Sequence, residues 1–526
     1  MPILSEKEQI AVLATPAALP CGLVLPNRLV KAAMEEGLGT LDGKPTELNE
    51  ALYEVWRAGE WGMLITGNVQ VDPRHLGSPV DSVVPSTSSS SDLSYSLRDS
   101  TWASWARAAG ASSPSSSSTS PRPILIMQLN HPGRQSLRLF HGRSFSTPSL
   151  APSSVPLSPS SNPYIGRILG KALWGIPKEM SREDIEEVVE GFVRGAKMVK
   201  ESGWDGVQLH ASHGYLLAQF MSPKVNLRND EYGGSARKRL TLLSRIIDAI
   251  RAELPQKSGF CLGVKLNSSD YVKGGLTEQD ALDNIKWIAE HGGVDFIEIS
   301  GGSYESPEFM STSTADLAIK GPSSAAREAF FDTFSHRARW MLSTLPHSTL
   351  PTPAPLILLT GGFRTRLGMT RALHTATKSP PTADLIGLGR PAAADPLLPL
   401  RLLSPAVPAS EARSPIYDSL RGVRWLKALL GWIAVFGPGL DVSWHMMAMR
   451  QVALRRREEK RKRRELYGEE VGEEGEKAAA VRAGDAYPLS NFWVLAWRVY
   501  VASMVPSWLL GMAGAVVVAI VGKTCL

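Results

Sequence analysis

The chain has 526 residues, 43% of them hydrophobic, and a formal net charge of +6. That length exceeds one ordinary domain but suits an α/β barrel with additions. The run Arg455–Arg464 (RRREEKRKRR) holds eight basic and two acidic residues, an excess equal to the whole net charge, so the remainder is near neutral and is not that of a nucleic-acid-coating enzyme.

Alternating strand and helix signals run from about residue 20 to 405. Eight strands are predicted: Leu29–Met34, Met63–Gly67, Ile124–Leu129, Gly206–Leu209, Cys261–Leu266, Asp295–Ile299, Leu356–Thr360 and Asp384–Gly387. Most are short apolar runs, as expected of parallel strands buried on both faces. Ser181–Lys200 is the clearest helix. Ser181 is placed as N-cap, acidic residues follow, and Ile185, Val188, Val189, Phe192 and Ala196 form one apolar face. The repeat predicts an α/β fold, a (β/α)8 TIM barrel over residues 1–405.

Two inserts break the order. Residues 86–120 are Ser-rich and are expected to form a surface loop with no packed core of its own; Ser343–Pro355 is a shorter Pro/Ser/Thr loop. A helical and basic linker is expected over 406–490, including the apolar Val423–Phe436, and a C-terminal transmembrane segment over 491–526. Val499–Gly522 gives 24 residues without a charge, enough for a helix to cross a bilayer, although a buried helix is the alternative. Basic residues precede it, so the expectation is a single-pass membrane protein with the catalytic domain facing the cytosol. The opening MPILSEKEQI lacks the apolar core of a signal peptide. Cys21, Cys261 and Cys525 lie far apart, forming neither a disulfide framework nor a metal spacing.

The densest chemistry lies in Trp204–Arg239, WDGVQLHASHGYLLAQFMSPKVNLRNDEYGGSARKR. An apolar strand ends in His210, with His213 and Tyr215 just beyond it, where barrel enzymes keep their catalytic groups. The two histidines lack a third metal ligand, so no metal site is read. Gln128 ends the third strand in MQLNHPGRQ and offers both a donor and an acceptor. TGGFR (Thr360–Arg364) and GLGRP (Gly387–Pro391) close the last two strands, where barrels often bind phosphate and where Arg390 can add a bidentate contact.

The HxxHxY spacing, the NxRxDEYGG run and the QLxHxGRQ pattern together resemble the old yellow enzyme family of FMN-dependent ene-reductases. The resemblance covers roughly residues 20–400. It implies FMN as cofactor, NAD(P)H as electron donor and an α,β-unsaturated carbonyl or related acceptor as substrate. Ala32, Ala33, Met34 and Gly67 would lie along the flavin ring, Gln128 at its pyrimidine edge and Arg239 at its N1/O2 edge. Gly362, Phe363, Gly389 and Arg390 would hold the phosphate. His210 and His213 would hold the substrate oxygen, and Tyr215 would give the proton, since a phenol of pKa about 10 is protonated at neutral pH.

The departures are Glu35, where relatives carry Thr or Cys near the flavin C4 oxygen, and Asn130, where many carry an aromatic. Larger relatives hold an iron–sulfur cluster on four cysteines, which three scattered ones cannot supply. No GxGxxG follows a strand, so no separate nucleotide domain is expected. Two other readings stay open: a membrane-anchored barrel without turnover that serves as a scaffold, and a non-flavin phosphate-binding barrel.

Overall fold

The computed structural model describes residues 4–86, 100–111, 122–138, 142–159, 163–301, 305, 324–374, 380–415, 417, 436–467, 475 and 477–481. Eight parallel strands form the barrel: β1 (Leu29–Lys31), β2 (Met63–Gln70), β3 (Ile124–Asn130), β4 (Gly206–Ala211), β5 (Cys261–Asn267), β6 (Phe296–Ser300), β7 (Leu356–Thr360) and β8 (Leu385–Leu388). Each pairs with its sequence neighbours, and β8 pairs with β1 (Ile386 opposite Leu29), which closes the ring. The expected TIM barrel is the fold observed, with every predicted strand present and bounds shifted by a few residues at most.

Around the ring stand α1 (Glu47–Ala58), α2 (Thr101–Ala109), α3 (Arg182–Glu201), α4 (Thr241–Glu253), α5 (Glu278–His291), α6 (Ser324–Thr344) and α7 (Arg366–Leu373). The Ser181 hydroxyl accepts from the Asp184 amide, and the Asp184 carboxylate accepts from the Ser181 amide. This reciprocal cap fixes where α3 begins.

Period-two alternation divides the barrel interior into two layers. Near the strand starts the inward residues are apolar: Val30, Met63, Ile65, Ile126, Phe296, Leu358 and Leu385 pack with Cys261 and with Leu19, Cys21 and Leu25 of a hairpin that plugs the floor. Gly263 leaves room for the Phe296 ring, because a Cβ there would stand 2.2 Å from it. Two residues further along the strands the same inward face turns polar: Gln128, Gln208, Lys265, Glu298. This places a polar layer on an apolar floor at the C-terminal end of the barrel.

Two expectations need correction, and one contact was not foreseen. The Ser-rich insert does contain packed structure, since α2 lies within it and buries Trp102 and Trp105 against Tyr53 and Trp204. Cys21 and Cys261, remote in sequence, meet beneath the floor beside Asp295, all three buried. The membrane placement is also overturned: among the described residues no helix is long and apolar enough to cross a membrane. Residues 499–522 and 423–435 lie outside the described residues. The long helix beyond the barrel, α8 (Phe436–Tyr467), carries the basic run and packs along α1, where Arg456 and Lys460 both pair with Glu54, at 2.7 and 2.6 Å.

Candidate active site

The polar layer is one connected network. Gln128 Nε2 donates to Gln208 Oε1 (2.6 Å), and Gln208 Nε2 donates to Glu298 Oε2 (2.7 Å). The other Glu298 oxygen lies 2.9 Å from Lys265 Nζ. Register explains the contacts, since Gln128 stands opposite Gln208, and Lys265 stands between His210 and Glu298. A buried ammonium is tolerable only with a compensating charge, which Glu298 supplies here.

His210 ends this layer on β4. The chain then turns sharply, and His213 adopts φ +57°, a left-handed conformation that costs a non-glycine residue free energy. Its amide donates to Asn267 Oδ1 (3.0 Å), which holds the turn. The result is a directed chain of hydrogen bonds. The Ser212 amide donates to His210 Nδ1 (3.3 Å), which leaves the His210 proton on Nε2. That nitrogen lies 3.3 Å from His213 Nδ1, and His213 Nε2 lies 2.8 Å from Ser300 Oγ. Burial holds both imidazoles well below their usual range; repulsion from His213 and Lys265 adds to this at His210, and repulsion from Lys265 at His213. Both are therefore neutral donors at neutral pH. Tyr215 heads a short helix (Leu216–Met221), with its ring edge-on to His210 at 4.7 Å between centroids.

Across the barrel mouth, Ala32–Met34 follow β1. A Cβ on Gly67 would stand 2.5 Å from the Met34 carbonyl oxygen, and one on Gly389 would stand 3.2 Å from Met34 Sδ. Three of the expected ring-lining and phosphate-end positions thus converge, and only glycine permits the approach at Gly67. Thr360 of β7 pairs with Gly387 of β8, which sets the TGGFR and GLGRP loops side by side. Gly362 has φ +79°, and the Phe363 side chain turns into the core.

Arg239 is not at this mouth. Its guanidinium donates to the Met221 carbonyl (3.0 Å) and faces Asp280 of α5 at 4.0 Å, outside the lumen. The cation within the polar layer is Lys265. Reading the run CLGVKLN with period two from Cys261 would have found it, because the third inward position is a lysine.

Glu35 accepts from Asn68 Nδ2 (3.0 Å) and lines a cleft with Gly37, Gly67, Asn68 and Val80. Burial, then the nearby Asp81 charge, raises its carboxyl well above the usual range. Asn130 is buried and donates to Gln70 (3.1 Å), which in turn donates to Asp81 (2.8 Å). In the QLxHxGRQ segment, the Gly133 amide donates to His131 Nδ1 (3.0 Å) and Gln135 donates to the His213 carbonyl (2.9 Å), so this segment braces the histidine turn.

Residues 124–309 match the model of the NADH:flavin oxidoreductase / NADH oxidase family. The NADH-dependent flavin oxidoreductase iccE of Talaromyces variabilis is 34% identical over 442 residues, 84% of this chain and 98% of the relative. The chain belongs to this flavin oxidoreductase family. The enzyme iliE of Hypocrea jecorina is 37% identical, over 73% of this chain and 87% of its own length. The iliE of Neonectria sp. is 38% identical over 74% of this chain, which spans 47% of that relative.

Among solved structures, the old yellow enzyme homologue from Zymomonas mobilis superposes with a TM-score of 0.52 at 20% identity, covering 77% of this chain and 99% of that one. A 2-naphthoyl-CoA reductase superposes at 0.61 with 19% identity, over 83% and 58%. At those identities the likeness is one of fold. Family membership makes the chain an NAD(P)H-dependent flavin oxidoreductase and does not favour the scaffold reading.

The residues at the mouth fit a flavin. Gln128 and Lys265 supply a mixed donor, acceptor and cation edge. Two buried polar atoms, Asn68 Oδ1 and Thr360 Oγ1, have no hydrogen-bond partner within the described chain. Backbone fills the space beside Gly67, and the Met34 side chain fills that beside Gly389.

Proposed function

We propose that the enzyme reduces an activated alkene, an α,β-unsaturated carbonyl compound, with NAD(P)H as electron source and FMN as carrier. The observation that carries this reading is the neutral His210–His213 pair, with Tyr215 packed against it, at the barrel mouth. Bound FMN would supply hydride transfer from the nicotinamide to the alkene. Ala32, Ala33, Met34 and Gly67 would hold its ring, Gln128 and Lys265 its pyrimidine edge, and Gly362, Phe363, Gly389 and Arg390 its phosphate.

The chain's own contribution is polarisation and a proton. A substrate carbonyl oxygen accepts a hydrogen bond from His210 Nε2 in place of His213 Nδ1, and another from His213 Nε2 in place of its bond to Ser300. Two neutral donors withdraw charge from the carbonyl and make the β-carbon electrophilic. The Tyr215 phenol gives its proton to the α-carbon. Lys265 is a fixed positive charge beneath the histidines and favours negative charge developing above the layer.

The test is the visible spectrum of the purified protein with and without p-hydroxybenzaldehyde. A flavin spectrum that gains a long-wavelength band on adding the phenol is expected, and the double variant H210A/H213A should keep the flavin and lose the band. A folded protein that takes up no FMN would overturn the reading.

A further inference from the structure

The barrel's phosphate end is completed by a helix from outside the barrel. α8 begins at Phe436 and crosses the rim above β8, and its Met446 side chain reaches Gly37, where a Cβ would stand 2.2 Å from the Met446 methyl carbon. From its first turns Asp441 reaches Arg390, and Arg390 Nη1 donates to Asp441 Oδ2 at 3.2 Å. The Asp441 side chain is only 4% exposed, whereas Arg390 is 23% exposed. The carboxylate is therefore sealed in and the guanidinium remains partly open at the mouth.

Two further contacts hold the helix that carries Asp441. His445, one turn on, donates from Nδ1 to the Asp441 carbonyl at 2.7 Å, and its ring stands edge-on to Trp444. The pairing of Arg456 and Lys460 with Glu54 anchors the distal part of α8 on α1. Burying a carboxylate costs several kcal/mol unless a cation and hydrogen bonds compensate it, so this placement is not that of an incidental surface ion pair. An arginine side chain has many rotamers to lose on binding, and a fixed carboxylate partner restricts them before a ligand arrives.

We propose that Asp441 is a positioning residue for the flavin phosphate: it holds Arg390 so that the exposed part of the guanidinium faces the phosphate between the TGGFR and GLGRP loops. α8 thereby makes cofactor retention depend on chain beyond the barrel. The inference rests on the FMN assignment above.

The experiment compares FMN with riboflavin, which has the same ring system and no phosphate. Full-length protein is stripped of flavin and titrated with each by quenching of flavin fluorescence. Wild type should prefer FMN, and R390A should lose most of that preference. D441N and D441A should bind FMN about tenfold more weakly, the equivalent of one hydrogen bond to a charged group, with riboflavin binding unchanged, and D441N/R390A should be no weaker than R390A alone. Equal weakening toward both flavins would make Asp441 a structural residue and overturn the proposal. So would unchanged or tighter FMN binding in D441N, the latter marking Asp441 as a competitor of the phosphate. A wild-type protein that binds neither flavin would overturn the function reading itself, and one that binds both equally would overturn the phosphate assignment alone.

Discussion

Lys265 and Glu298 stand opposite each other on β5 and β6 with Nζ and Oε1 2.9 Å apart, both shielded from water, and Glu298 also takes the Gln208 amide. Removing one partner leaves the other as an uncompensated buried charge. K265M should lower stability by about 3–5 kcal/mol, and K265M/E298Q should recover part of the loss. Denaturant unfolding of the two variants and wild type measures this. A K265M protein as stable as wild type would show that the pair is not what keeps Glu298 in the core.

Tyr215 touches His210 through its ring, so Phe at this position preserves the packing and removes only the hydroxyl. Y215F should slow alkene reduction by about 10²-fold or more, the usual contribution of a positioned general acid. Flavin reduction by NAD(P)H should stay near normal. Stopped-flow measurement of the two half-reactions separates these steps, and an unaffected alkene half-reaction would remove Tyr215 from the proton-donor role.

Buried histidines set the acid side of the stability profile. Burial brings His75 and His445 each down to about 4, from an ordinary value near 6.5. The unfolded chain therefore binds protons that the folded chain refuses. Stability is lost as pH falls below about 6.5 and stops falling from this cause near pH 4, at a cost of about 3 kcal/mol for each histidine. His210 and His213 act in the same direction. The raised carboxyls of Glu35 and Asp81 oppose the trend, because they favour the protonated native state. Urea unfolding of wild type and H75N at pH 7.5 and 5 isolates one histidine: the loss between the two pH values should be smaller in H75N, and an equal loss would show that His75 is protonated in the native state.

Much of the fold was legible because parallel barrel strands are local patterns. Each is a short apolar run, and the Ser181 cap with its acidic first turn marks α3 without reference to the rest of the chain. The histidine segment was legible for the same reason, since His210, His213 and Tyr215 lie within six residues on one strand end. The Ser-rich insert misled because its composition is dominated by serine, whereas the part that packs does so through Trp102 and Trp105. The uncharged run Val499–Gly522 lies outside the described residues, and the described chain beyond the barrel forms a charged helix lying along α1.

The sequence by itself determined the eight-strand repeat, the His/His/Tyr strand end, the Gly-rich loops after the last two strands and the flavin oxidoreductase family. The tertiary structure alone decided which cation enters the polar layer, that Gly67 and Gly389 both close on Met34, and that Asp441 meets Arg390. The physical reason is range. Alternation along a strand and the capping of a helix are set by neighbours a few residues apart. Placing Lys265 beside Glu298, or Asp441 beside Arg390, requires the ring to close and α8 to dock, events governed by packing between segments that sequence separation does not encode.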